Sequence, residues 1–74
     1  MRVLVRPEAR TEMREAQAWY EERAVGLGAE FARAVDIAVS LAARNPRGFP
    51  VVEGAVHRVL LRRFPYLIAY AVDG

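Results

Sequence analysis

The hydrophobic positions of this chain change period three times. "RVLVR" at residues 2–6 alternates, with Val3 and Val5 on one face and Arg2, Leu4 and Arg6 on the other. Period two over a short apolar run predicts a strand. Pro7 ends it and suits the first turn of a helix, and Glu8 stands where the helix dipole favours an acid. From Glu8 to about Ala24 the spacing becomes helical. Ala9, Met13, Ala16, Tyr20 and Ala24 form one stripe, widened by Trp19, while Arg10, Arg14, Glu15, Glu22 and Arg23 mostly face away. Gly26 and Gly28 of "VGLG" are candidates to close the helix in the left-handed conformation. A second helix is predicted from about Ala29 to Arg44, with Phe31, Ala34, Val35, Ala38, Leu41 and Ala42 on its buried face. So short a link predicts an antiparallel helical hairpin.

"NPRGFP" at residues 45–50 is punctuation that stops the second helix and keeps the next stretch irregular. "AVHRVLLRR" then returns to period two. Val56, Arg58, Leu60 and Arg62 share one face, and His57, Val59, Leu61 and Arg63 share the other. The side carrying Val59 and Leu61 is expected to meet the helices. After "FP", the segment "YLIAYAV" reads as a third strand that is apolar on both faces. Such a strand belongs at the centre of a sheet, with a neighbour on each side. The second strand supplies one neighbour. The other is expected beyond Asp73-Gly74, a hairpin-turn dipeptide. The predicted fold is α+β: βααββ, a helical hairpin packed on an antiparallel sheet.

Composition bounds this picture. The 74 residues make one domain, 1–74, that is 54% hydrophobic. A chain of this length buries only about 60–65% of its unfolded surface, so a thin stability margin is expected. There is no Cys, which removes disulfides, thiolate metal sites and cysteine nucleophiles. A single histidine, His57, leaves no His-based metal site, and no cofactor or metal is expected. No apolar run is long enough to span a membrane and the N-terminus lacks a signal pattern, so a cytoplasmic protein without membrane partners is expected.

All eleven basic residues are arginine. Five lie from Arg44 onward against two acids, Glu53 and Asp73; six precede it against seven acids. The basic excess is therefore C-terminal. Arg58, Arg62 and Arg63 are its densest cluster. On one strand face Arg58 and Arg62 would stand about 13 Å apart, a spacing that suits successive phosphates. Tyr66 and Tyr70 follow. This set is a candidate surface for nucleic acid or an acidic protein; the competing reading is a solvated sheet face. Two candidates for acid–base chemistry are weaker. Glu21 and Glu22 are adjacent on a helix and point about 100° apart, which fits an exposed acidic edge beside an aromatic pair better than a catalytic dyad. His57 has neither an orienting partner nor a nucleophile in any motif, since Ser40 and Thr11 stand alone. The residues favour a binding surface over an active site, and whether the chain is an enzyme stays open.

The ordered series "PEA", "WYEE", "GLG..F", "NP..FP" and "R..LRRFPYLIAY", spanning Val3 to Val72, resembles the RelE/ParE family of toxins from bacterial type II toxin–antitoxin modules. That resemblance implies a βααβββ fold, of which this chain would lack the last strand. It implies neutralisation by a cognate antitoxin, and either binding to an essential target such as DNA gyrase (ParE-like) or cleavage of mRNA on the ribosome (RelE-like). Aligned through "LRRFPYLIAY", Arg58 falls on one basic position of the nuclease branch and Arg62 lies nearby. Two further basic positions fall on the aliphatic Leu60 and Leu67. The pattern thus favours a ParE-like toxin. A RelE-like nuclease using Arg58 and Arg62 is one alternative. The other is a shortened scaffold that only binds antitoxin or pairs with itself. In that last case the third strand would expose an edge at Tyr66, Ile68, Tyr70 and Val72, through which a homodimer could form.

Overall fold

A computed structural model describes residues 2–73. The chain runs β1 (Arg2–Leu4), α1 (Pro7–Arg23), α2 (Leu27–Arg44), β2 (Val51–Glu53), β3 (Val56–Leu60) and β4 (Leu67–Asp73). The fold is α+β, with two helices and a four-stranded antiparallel sheet of order β1-β4-β3-β2. It has one strand more than the hydrophobic pattern predicts. The extra strand is β2, which lies in the stretch expected to be irregular. Val51–Glu53 is too short to show a period, and all three residues are exposed. β2 turns into β3 through Gly54, whose φ of +53° is the left-handed conformation glycine adopts without strain.

β4 is central, as its two apolar faces predict. Its second neighbour is β1, not a strand beyond residue 73: Val3 pairs with Val72 and Leu4 with Ala71. On its other side β4 pairs with β3 from Leu60↔Leu67 to Val56↔Ala71. The expected open apolar edge does not form as such: β1 pairs at Val72, Ile68 and Tyr70 are buried in the core and Tyr66 packs against it, which removes the basis for a homodimer through these four residues. Arg6 and, from the start of α1, Ala9 and Glu12 line an open groove with Val56 of β3 and Ala69, Tyr70 and Ala71 of β4. The turn expected at Asp73-Gly74 reaches outside the described residues.

Pro7 opens α1, and Glu8 occupies its first turn. No residue of α1 is fully buried. Met13, Ala16 and Tyr20 are half-buried against the core, whereas Trp19 is half exposed, with the Arg23 guanidinium 4.0 Å above its ring. Trp19 thus shields the cation instead of widening the buried stripe. The link to α2 is Ala24 to Gly26, and only Gly26, at φ +89°, is left-handed. Gly28 has a different role: it is buried in the first turn of α2, where a Cβ would lie 2.9 Å from the Gln17 carbonyl oxygen of α1. The Glu21 carboxylate accepts hydrogen bonds from the Gly26 and Gly28 N–H groups at 3.0 and 2.9 Å. An acid on α1 thereby caps the N-terminus of α2, where N–H groups and helix dipole both favour negative charge.

Phe31, Ala38 and Ala42 of α2 meet Val59, Leu61, Phe64, Ile68 and Tyr70 to form the core. The side of β3 carrying Val59 and Leu61 faces the helices, as the pattern predicts. Phe31 is 1% exposed and holds Tyr20, Phe64 and Tyr66 with ring centroids 5.1, 5.3 and 5.2 Å away. Each such pair adds about 0.5–1.5 kcal/mol beyond area burial. Leu41, assigned by spacing to the buried face, is instead 42% exposed on the flank of α2.

Candidate binding site

The buried histidine comes first, because its surroundings decide whether it is free for chemistry. His57 Nδ1 lies 2.9 Å from the Phe49 carbonyl oxygen. A carbonyl only accepts, so Nδ1 carries the proton. The imidazole stacks on Tyr70 at 5.4 Å between ring centroids and 15° between planes. The Tyr70 hydroxyl donates to the Pro46 carbonyl at 2.8 Å. Two stacked rings of the sheet thus hold the 46–49 loop by its carbonyls. His57 is committed to structure through the Phe49 carbonyl and the Tyr70 ring. Among the described residues no group of three His, Asp or Glu side chains is placed to hold a metal ion.

The candidate site residues separate into three settings. Arg58 is half-buried on the outer face of the sheet, opposite Ala69 and between the rows of Val56 and Leu60. Arg62 does not share a strand face with it, because β3 ends at Leu60. Leu61 turns into the core, and Arg62 and Arg63 lie in the turn that follows, against the flank of α2. Arg63 has φ +70°, in the left-handed region that a side chain bearing a Cβ rarely occupies. Its guanidinium lies 3.6 Å from Glu30, an exposed pair worth little in stability. Tyr66 faces inward: its ring meets Phe31 edge-on. Burial, and after it the charge of Glu12, raises its phenol above the ordinary value. Tyr66 is thus a core residue with a wet rim, and Ile68 and Tyr70 are core outright.

What the structure does bring together is a groove of about 230 Å³ between α2 and the end of β3. Glu30, Arg33, Ile37 and Leu41 line it from the helix; Leu60, Arg62 and Arg63 line it from the strand and turn. Ile37 and Leu60 are 56% and 59% exposed. Arg33 and Arg62 make no hydrogen bond or ion pair among the described residues. The helical contribution was missed by the core assignment. Its signal is the four-residue spacing of Arg33, Ile37 and Leu41, a second stripe beside the buried one. Leu60 pairs with Leu67 across the outer sheet face, so the two aliphatic positions meet. The fold and the groove together define a small α+β domain that carries a basic-rimmed groove. Compared with protein-family models, curated proteins and solved structures, the chain finds no match.

Proposed function

We propose that this chain is a growth-inhibiting toxin of the RelE/ParE kind, ParE-like in action, which binds an essential bacterial target such as DNA gyrase and is neutralised by a cognate antitoxin. The observation that carries the reading is the placement of the resembling residue series. "PEA" opens α1, "WYEE" closes it, "GLG..F" enters α2, "NP..FP" leads into β2, and "R..LRRFPYLIAY" spans β3 and β4 of a βααβββ domain. Binding is favoured over cleavage because His57 is tied to Phe49 and arginine does not shuttle protons. Expression from an inducible promoter is the test. Growth arrest that is relieved by co-expressing the neighbouring small gene, with loss of gyrase supercoiling activity in vitro, is the expected result. Cleavage of ribosome-bound mRNA that disappears in Arg58→Ala would support the nuclease alternative instead. Unimpaired growth would leave the scaffold alternative, a domain that binds antitoxin without poisoning a target.

A further inference from the structure

Side chains alternate across a strand, so strand pairing fixes which residues share the sheet face turned away from the core. Leu4 opposes Ala71, Val56 opposes Ala71 and Leu60 opposes Leu67, and Ala69 falls between them on β4. Leu4, Leu60 and Leu67 are 41%, 59% and 49% exposed. Both helices pack on the other face, where Phe31, Ala38 and Ala42 of α2 and Met13, Ala16 and Tyr20 of α1 meet the core. A contiguous exposed apolar surface of a few hundred Å² marks a place of association. Arg58 stands in the middle of it, half-buried between the rows of Val56 and Leu60 and opposite Ala69. Its guanidinium makes no hydrogen bond or ion pair among the described residues. Exposed carboxylates border the same face. Glu8 and Glu12 of α1 and Glu53 of β2 line the open groove over Val56, Ala69 and Ala71 against Arg6 alone, and they too have no ion pair among the described residues.

One face thus carries an unpaired cation and unpaired carboxylates on a bare apolar floor. A two-fold contact needs a patch that complements itself, and this patch does. β4 lies between β3, which carries Arg58, and β1, which leads through residues 5 and 6 into the start of α1 and Glu8. We infer that a second copy of this chain covers the outward sheet face, in a two-fold dimer whose axis runs along β4. The two sheets stack about 10 Å apart, with the leucines of one interleaved with those of the other. Arg58 of each copy meets Glu8 and Glu12 of its partner. β4 is seven residues long, so four strands give a face of about 400 Å² in projection. That is below the roughly 800 Å² per partner of a stable complex, so the dimer forms and separates with concentration. In the dimer Arg58 and Leu60 are covered, and a target that needs this face meets only the monomer. The inference rests on the sheet face and does not require the toxin reading.

The test is sedimentation equilibrium of the full chain from micromolar to millimolar concentration, with far-UV circular dichroism to check that each variant is folded. The expected mass rises from 8.3 kDa toward twice that value. Leu67→Lys, at an exposed position, should weaken the dimer at least roughly tenfold, because it puts a charge into the apolar contact. Arg58→Glu alone should weaken it by a similar factor, and so should Glu8→Arg combined with Glu12→Arg, since each variant sets like charges face to face. Mixed in equal amounts, those two charge variants should associate again, because every facing pair is then opposite in sign. A parent chain that stays monomeric at millimolar concentration overturns the proposal, whatever else that face binds. A dimer that Leu67→Lys leaves unchanged overturns the choice of face, and this arm stands even where a charge variant does not fold. Folded charge variants that stay apart on mixing overturn the pairing of Arg58 with the α1 carboxylates. Growth assays do not enter, so failure here and failure of the toxin reading are separately visible.

Discussion

At the scale of single residues, the buried polar groups do structural work. His57 and Tyr70 lie on neighbouring strands at paired positions, and each ring reaches one carbonyl of the loop that follows α2. Tyr70→Phe removes the bond to Pro46 while keeping the ring. Loss of about 1 kcal/mol in urea denaturation is expected, because the part-buried Pro46 carbonyl is left without its donor. Burial also raises the Tyr70 phenol above its ordinary value, and burial followed by Glu12 does the same for Tyr66. Both groups hold their protons more tightly folded than unfolded. Their contribution to stability is therefore intact below about pH 10 and is lost as pH rises through the folded-state values. Denaturation midpoints between pH 9 and 11 should fall, and fall less steeply in Tyr70→Phe.

At the scale of elements, the helical hairpin depends on two contacts that periodicity does not show. Gly28 lets α2 approach the backbone of α1, and Glu21 caps α2 from across the turn. Gly28→Ala gains about 1 kcal/mol of helix propensity. The new Cβ would meet a backbone carbonyl at 2.9 Å, which cannot swing aside as a flexible side chain would. The steric term is expected to win, for a net loss of about 1–2 kcal/mol in thermal or urea unfolding. The turn between β3 and β4 offers the opposite case. Arg63 at φ +70° carries a conformational cost of about 1–2 kcal/mol that glycine would not. Arg63→Gly should therefore raise stability, against only a weak exposed ion pair lost. A lowered denaturation midpoint in that variant would show that the Glu30 contact outweighs the strain. An arginine at a position that suits glycine is in keeping with a role on the groove rim.

At the scale of the whole molecule, the closure of β4 changes what association can mean. β4 is bonded to β3 from Leu67 to Ala71 and to β1 from Ala71 to Asp73, and Ile68 and Tyr70 lie in the core, so the edge and inward contacts of residues 66–72 are structural. Ile68→Asp separates the two views. With Ile68 2% exposed in the core, a carboxylate there should abolish the far-UV circular dichroism of the fold. A folded chain that merely lost self-association would instead mark β4 as an open edge. The surface left available is the outward face of the sheet.

The chain's own pattern identified both helices to within two residues, the inward face of β3 and the central place of β4. These are local properties: each follows from period and from where Pro and Gly interrupt it. The arginine cluster was legible as composition, but its geometry was not. Arg58 and Arg62 look like neighbours on one strand face until the turn at Leu61 sends Arg62 toward α2. The missing neighbour of β4 was a question of long-range pairing. β1 and β4 lie at opposite ends of the chain, and three residues of β1 carry no mark that chooses a partner. Residue 28 showed the same limit, since a glycine near a helix end reads alike whether it supplies a left-handed turn or a close approach. By itself the sequence determined which segments are helix or strand and which face of each is apolar, because those follow from side-chain spacing along one element. Tertiary structure alone decided which strand fills the sheet, what His57 and Glu21 are bonded to, and where the arginines meet the α2 stripe. Each of those depends on contacts between residues far apart in the chain, and the energies that choose them come from packing the elements together.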